Sequence, residues 1–336
     1  MQGPRCSLCH QAVVVEQRYA GTRLCREHFL QSFARRAKAA IADQGRLPEG
    51  RIAVALSGGK DSVSLLHFLH AMVRDHPRIG LVAITVDEGI AGYRDSALAI
   101  CRRLAAELDV EWHVVTTREL AGYSIDEYAS GAAGPAVPRR TPASAPLPHP
   151  EGLEHEAPGP SPRPACGPCG VFRRAGINRL ARRLGCVAVA TGHNLDDSAQ
   201  TILMNHLKGD VERLARLAPH DEPAGPGMVR RIIPFRSIPE KEVLLYAVLH
   251  GLPLHMEEEC PYAARSHRFE VRDLLVQLEE RTPGTRHALV RGHDKLRPLL
   301  ASLPKTAVVA CQSCGEPCSD GTCMACRMRA PTAPAA

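Results

Sequence analysis

The sequence predicts an α/β fold built on a doubly wound parallel sheet, flanked by an N-terminal and a C-terminal zinc finger. Three observations carry that expectation. Short hydrophobic strands alternate with segments of helical periodicity through the middle of the chain. One of those strands runs straight into a glycine-rich turn with a lysine and an aspartate, "VALSGGKDSVSLL". Cysteine pairs with the spacing of metal knuckles stand at both ends.

The elements follow in order. Residues 51–57 read as a buried strand, 58–62 as a loop, and 63–73 as a helix through Val63, Leu66, Leu69 and Val73. A second strand is predicted at 81–87, a helix at 95–108 and a third strand at 111–115. A fourth strand, 187–193, precedes a helix that starts at Asp196 or Asp197. Strands separated by helices pair in parallel, with helices on both faces. The segment 131–165 has ten prolines, no Phe, Trp or Tyr and no cysteine. That composition cannot bury enough surface to fold, so a flexible insertion is expected there. The predicted organisation is a finger at 1–32, a catalytic domain at 33–130 and 166–300, the insertion, and a finger at 301–330.

Composition narrows the class. With 336 residues, 44% of them hydrophobic, the chain can bury one sizeable core and still carry small modules. No apolar run approaches the roughly 20 residues of a membrane span, and "MQGPRCSLCH" lacks the apolar core of a secretion signal. A cytoplasmic protein with no membrane partner is expected. The net charge of +6 is unevenly spread: residues 166–185 hold Arg173, Arg174, Arg179, Arg182 and Arg183 and no acidic residue. Such a stretch suits a polyanion, with a solvated helix face as the alternative.

The thirteen cysteines form three groups and leave Cys101 and Cys186, which fall in apolar-periodic segments and read as core thiols. Cys6 and Cys9, followed by Cys25 and His28, suit tetrahedral zinc. Cys311, Cys314, Cys323 and Cys326 form a second such set, with Cys318 a spare thiol between the pairs. Metal binding would supply folding energy that segments this short lack. The third group, Cys166 and Cys169, has Cys260 as its most plausible partner. Three thiolates can hold a 4Fe-4S cluster with one iron left open. A redox-active pair and a third zinc site are the alternatives.

In "SGGKDS" two glycines let backbone N–H groups approach an anion, the helix start adds a favourable partial charge, and Lys60 adds a full one. The glycine–lysine spacing is too short for a Walker loop. A glycine-rich turn with an incidental lysine is the bland alternative. His193 and Asn194 stand at a strand's C-terminal end, where open α/β sheets bind ligands; a packing role for His193 is the competing reading.

With these residues in view, the sequence resembles a known family. "SGGKDS" looks like the PP-loop of the N-type ATP pyrophosphatases, and "TGHNLDDSAQTILMN" resembles the second nucleotide-side motif of their tRNA-thiolating branch. "LCREHF", "DEGIAGYRDSAL", "CGPCGVFRR", "PFRSIPEKEVLLYA" and "EEECPY", with both terminal fingers, resemble the tRNA uridine 2-thiolation enzymes. The resemblance runs through nearly all the chain except the Pro-rich insertion.

It implies an adenine nucleotide alpha hydrolase-like domain that binds ATP and Mg²⁺. The domain would adenylate the 2-carbonyl oxygen of a tRNA uridine, release pyrophosphate, and let sulfur displace AMP. It implies catalytic roles for Lys60, Asp61 and Asp197. ATP would be bound by Ala55, Ser57, Gly58, Gly59, Lys60, Asp61, Ser62, Asp87, Gly192, His193 and Asp197. A 4Fe-4S cluster on Cys166, Cys169 and Cys260 and two Zn²⁺ in the fingers are implied too. A catalytic cysteine persulfide is the rival mechanism, and a zinc-finger RNA-binding protein without activity the rival class. Partners would be tRNA and, as sulfur donor, a ubiquitin-like carrier ending in a thiocarboxylate, or free sulfide. A homodimer is a candidate assembly. "DEGIAGYR" and "CGVFRR" look more like the enzymes that act at the wobble position 34, while the arginine-rich, asparagine-poor composition would suit position 54.

Overall fold

The structure is a computed structural model that describes residues 4–135, 163–217, 225–254, 260–262, 267–302 and 307–329. Most of the expected insertion, residues 136–162, lies outside the described residues. Its flanks meet: Arg163 N donates to Ala129 O at 2.9 Å and Arg163 Nη1 to Gly134 O at 3.0 Å.

The chain opens with the hairpin β1 (Val15–Gln17) and β2 (Thr22–Leu24), followed by α1 (Arg26–Asp43). The central unit then runs β3 (Gly50–Ala55), α2 (Lys60–Val73), β4 (Ile79–Asp87), α3 (Arg94–Glu107), β5 (Glu111–Thr116), α4 (Thr117–Ala121) and α5 (Ile125–Ser130). After the insertion come α6 (Cys166–Arg183), β6 (Ala188–Ala190), α7 (Leu195–Leu207), α8 (Val211–Ala215), β7 (Arg230–Ile232) and α9 (Glu240–Leu249). The helices α10 (His267–Arg281) and α11 (Thr285–Ala301) precede a small module of β8 (Val309–Ala310), β9 (Pro317–Cys318) and α12 (Met324–Arg327).

The five central strands are all parallel, in the order β5-β4-β3-β6-β7. The first strand in sequence sits in the middle, and the order reverses between β3 and β6. That reversal opens a crevice at the strands' C-terminal ends. Strand alternation sorts the core. Ile52, Val54, Ala188 and Ala190 face α1 and α2, where Phe33, Phe68, Phe235 and Tyr246 pack ring against ring. Ala53, Val82, Ile84 and Val189 face α6 through Leu180 and Ala181. Cys101 and Cys186 are buried as expected of core thiols.

Several boundaries differ from the sequence reading. Strand β3 ends at Ala55 and α2 begins at Lys60, because positive φ at Gly58 turns the chain within one residue. Helix α7 begins at Leu195, since the Asn194 side chain caps it through Asp197 N at 3.1 Å. Strand β7 was not foreseen. Helix α1 runs from the N-terminal cysteines into the core and crosses the expected boundary at residue 32.

A buried ionic node fixes the N-terminal hairpin to the core. The fully buried Glu242 carboxylate on α9 accepts from Gln17 Nε2 at 3.0 Å, from Tyr19 Oη at 2.7 Å and from Arg36. At the other end, the C-terminal module lies against α4 and α6. Tyr123 Oη donates to Met328 O, and Arg329 Nε donates to Leu120 O at 2.8 Å.

Candidate active site

The phosphate loop is built from Ser57, Gly58, Gly59, Lys60, Asp61 and Ser62, between β3 and α2. Gly58 has φ +86°, and a Cβ there would lie 2.5 Å from Ala97 O, so both conformation and space demand glycine. The loop is braced internally: Ser62 Oγ accepts from Ser57 N and Ser57 Oγ, both at 3.1 Å, and donates to Gly59 O at 2.9 Å. No side chain caps α2 at Gly59, which leaves its first N–H groups for an anion.

The charged groups converge above this turn. Lys60 Nζ donates to Glu240 Oε1 at 2.7 Å and to Asp61 Oδ2 at 3.1 Å. Asn194 Nδ2 donates to Asp61 Oδ1 at 3.3 Å. Burial pushes the Asp61 carboxyl up to about 6, against the opposing pull of Lys60, and the neighbouring Asp197 and Glu240 carboxylates add to the rise. Asp61 and Glu240 share Lys60, which leaves this pair one negative charge in excess, and a divalent cation would supply the balance.

The second motif docks directly on the first. A Cβ on Gly192 would lie 2.9 Å from the Asp61 carbonyl carbon and oxygen and 3.0 Å from Ser62 N, so this glycine lets the β6 end touch the start of α2. Asp197 is held twice: its Oδ2 accepts from Asn194 N at 3.2 Å, and its Oδ1 from Arg268 Nη2 at 2.7 Å. The adjacent Asp196 points the other way, accepting from Glu240 N at 2.8 Å and pairing with Arg286 at 2.7 Å. Asp197 is therefore the site-facing member of the pair. His193 Nδ1 lies 3.0 Å from Thr191 Oγ1. The ring is open to solvent, yet desolvation pushes its pKa down, with Arg231, Arg268 and Arg173 adding to the effect against Asp197. Ala55 and Asp87 are the last residues of β3 and β4, on the wall of the same crevice. Asp87 Oδ1 accepts from Gly89 N at 2.9 Å.

The third cysteine group gathers beside this cleft. Cys166 and Cys169 occupy the first turn of α6, where the helix dipole favours negative charge. Cys260 packs with Cys169 and Tyr262 in the same apolar cluster, and Cys166 Sγ donates to Tyr262 O at 3.2 Å. Burial, then the Glu88 carboxylate, pushes the Cys169 thiol up to about 12. A thiol so placed ionises when a cation binds it. Glu88, on the β4–α3 turn, links the two halves of the site. Its Oε1 lies 3.2 Å from Arg173 Nε on α6 and its Oε2 2.7 Å from Arg94 Nε. Arg94 in turn donates to Ser57 O of the phosphate loop at 3.0 Å.

The five arginines of α6 do not share a face, because successive helical residues are turned by about 100°. Arg173 pairs with Glu88, and Arg182 pairs with the buried Glu316 of the C-terminal module at 3.1 Å. Arg174 alone of the five leans over Gly170, beside Cys169, where a Cβ on Gly170 would lie 3.3 Å from its Nη1. Arg179 and Arg183 lie further along the helix, towards the opposite end of the sheet.

The terminal sets are tighter. Cys6, Cys9, Cys25 and His28 hold their donor atoms within 4.8 Å of one another, as do Cys311, Cys314, Cys323 and Cys326. Cys9 and Cys25 sulfurs are 3.7 Å apart, and Cys314 and Cys323 sulfurs 3.6 Å. Tetrahedral zinc with Zn–S near 2.3 Å requires about 3.8 Å between ligands. The N–H of Cys323, first among several, pulls Cys311 down to about 6, while burial pushes Cys326 up. Three thiols with one imidazole at the N-terminal end and four thiols at the C-terminal end, each within reach of one centre, fit tetrahedral zinc. Among the described residues, Cys166, Cys169 and Cys260 form no such zinc-sized set. A multi-iron cluster holds its thiolates further apart than one zinc ion does.

The sequence reading passed over Glu240, Arg268, Arg94 and Arg231 as site residues, and expected Glu88 only in the wall beside the adenine and ribose. Glu240 and Glu88 lay within quoted motifs, but only the fold shows whom they face. No helix among the described residues is long and apolar enough to cross a membrane.

Comparison with known proteins agrees with this geometry. Residues 29–130 match the PP-loop domain family, and residues 5–30 the N-terminal LIM domain of the 2-thiouridine synthetase TtuA. The tRNA 2-thiolation protein NcsA of Haloferax volcanii is 35% identical over 340 residues, covering 96% of this chain and 97% of its own. The tRNA-5-methyluridine(54) 2-sulfurtransferase of Thermus thermophilus is 33% identical, covering 96% of this chain and 90% of its own. The solved structure of the U34-tRNA thiolase NcsA from Methanococcus maripaludis with its 4Fe-4S cluster matches with a TM-score of 0.72 and 31% identity, covering 91% of each chain. The chain belongs to the tRNA 2-thiolation family of PP-loop proteins.

Proposed function

We propose that this protein is an ATP-dependent tRNA 2-thiolase, which adenylates the C2 carbonyl oxygen of a uridine and then replaces that oxygen by sulfur. The observation that carries the reading is the juxtaposition of a phosphate loop and a three-cysteine group, tied together by Arg94, Glu88 and Arg173. The loop N–H groups, with Ser57, Ser62 and Lys60, take up the charge that grows on departing pyrophosphate. Lys60 exchanges Glu240 for phosphate oxygens as ATP enters. Asp61 and Asp197 would hold Mg²⁺, which favours carboxylate, water and phosphate oxygens. His193 and Asn194 line the cleft, where desolvation and nearby arginines lower the pKa of His193.

Cys166, Cys169 and Cys260 would hold the 4Fe-4S cluster, whose Lewis-acidic iron presents sulfide as a nucleophile when bound. The two terminal sets would hold structural zinc and so fix the modules that brace α1 and α6. Sulfide or a thiocarboxylated carrier protein supplies the sulfur, and the site of action is the cytoplasm. We place the reaction at position 34 rather than 54 on "DEGIAGYR" and "CGVFRR".

Pyrophosphate release measured with and without unmodified tRNA tests the reading. Release that requires tRNA supports it, and release indifferent to tRNA contradicts it. Absence of release would favour the non-enzymatic binding protein.

A further inference from the structure

Two guanidiniums, Arg174 beside Cys169 and Arg231 on β7, have no carboxylate partner among the described residues, and the fold brings them together. Asn178 on α6 is fixed against the approach to β7: its Nδ2 donates to Gly227 O and its Oδ1 accepts from Val229 N, both at 2.9 Å. Arg174 lies one helical turn before Asn178, on the same side of α6. Arg231 lies two residues after Val229, on the same face of the strand. Arg230, between them, turns to the opposite face and donates to Gln44 O and Arg46 O. The register confirms the side, because Arg231 pairs with Val189, which packs on Leu180 and Ala181 of α6. One turn of helix and two residues of strand both span about 5–7 Å, and α6 runs antiparallel to the sheet. Arg174 and Arg231 consequently meet where the strands' C-terminal ends open into the cleft.

The electrostatics agree. Burial disfavours the charge on Arg231, and Arg174 disfavours it further. Arg174 is exposed at the surface, and desolvation, then Arg173 and Arg213, disfavours its charge as well. Arg173 and Arg213 have carboxylates of their own in Glu88 and Asp210. Arg174 and Arg231 stand as an uncompensated pair, and the group that completes such a pair is an anion with several oxygens.

Position indicates which anion. The phosphate loop follows β3, whereas Arg231 lies on β7, two strand spacings or about 10 Å to the side. The phosphates of ATP are gripped at the loop, so a phosphate this far across belongs to a different molecule. We infer that Arg174 and Arg231 form a site for a backbone phosphodiester of the RNA, next to the uridine that enters between His193 and the cysteine group. The inference rests on the proposed tRNA substrate and adds the contact that holds it.

The test uses anaerobically purified full-length protein, an unmodified tRNA transcript, and the variants Arg174→Gln and Arg231→Gln. Each variant is expected to weaken tRNA binding on the order of tenfold near 0.1 M salt and to make the slope of log K against log salt shallower by about 1. The KM for ATP and the iron content stay at the parent's values. Unchanged tRNA affinity and slope in both variants would overturn the inference. So would a raised KM for ATP with tRNA binding intact, which would assign the pair to the nucleotide's phosphates. A parent protein that binds no tRNA would instead refute the proposed function itself.

Discussion

Replacing Gly192 by alanine probes the joint between the two nucleotide-side motifs. The added methyl would sit 2.9 Å from the Asp61 carbonyl carbon and oxygen and 3.0 Å from Ser62 N. These are backbone atoms at the start of α2, which cannot swing aside as a flexible side chain would. Reaching an ordinary contact near 3.4 Å requires the β6 end and the phosphate loop to part by about 0.5 Å. Overpacking of this kind costs about 1–3 kcal/mol, which a core of this size tolerates. Catalysis is less forgiving, because misplacement by about 1 Å costs on the order of 100-fold. Half that displacement predicts roughly a tenfold loss in tRNA-dependent pyrophosphate release, with the fold and bound metals retained. Gly80→Ala, where nothing lies within 4 Å of the added atom, is the matched control and should be silent. A Gly192→Ala protein as fast as the parent would refute the claim that the motifs work in contact.

Other perturbations separate the parts of the site. Lys60→Ala should reduce pyrophosphate release by about 100-fold or more while leaving bound iron unchanged; loss of iron together with activity would show that the loop and the cysteines are not separable. Cys260→Ser should do the reverse, losing iron and thiolation while keeping part of the tRNA-dependent ATP cleavage. Glu88→Gln leaves the buried Arg94 without its counter-charge, at about 3–5 kcal/mol, so thermal unfolding should begin several degrees lower; an unshifted transition would discount the ion pair. Cys314→Ser should remove one zinc of two from the purified protein, and zinc content that stays at two would exclude the C-terminal set.

What the sequence showed depended on the range of each interaction. The strand, turn and helix around Gly58 were legible because their signals are local: hydrophobic spacing, two glycines, and a lysine that opens a helix. The terminal metal sets were legible for the same reason, since each knuckle brings its donors together within a few residues. Strand β7 was not, because it has three residues, two of them arginine, at the edge of the sheet. Arg182 read as part of a polyanion surface, but its partner is Glu316, far downstream. Lys60 likewise gave no hint that Glu240 would face it. The resemblance assigned Asp197 to the site, but only the fold shows that its neighbour Asp196 turns away to Glu240 N and Arg286.

The most direct test of the account is mass-spectrometric analysis of nucleosides from an unmodified tRNA incubated with anaerobically prepared protein, ATP, Mg²⁺ and sulfide. The account predicts 2-thiouridine at position 34, dependent on ATP and absent with Cys260→Ser. Pyrophosphate released without any thiolated nucleoside, or thiolation that persists in Cys260→Ser, would contradict it.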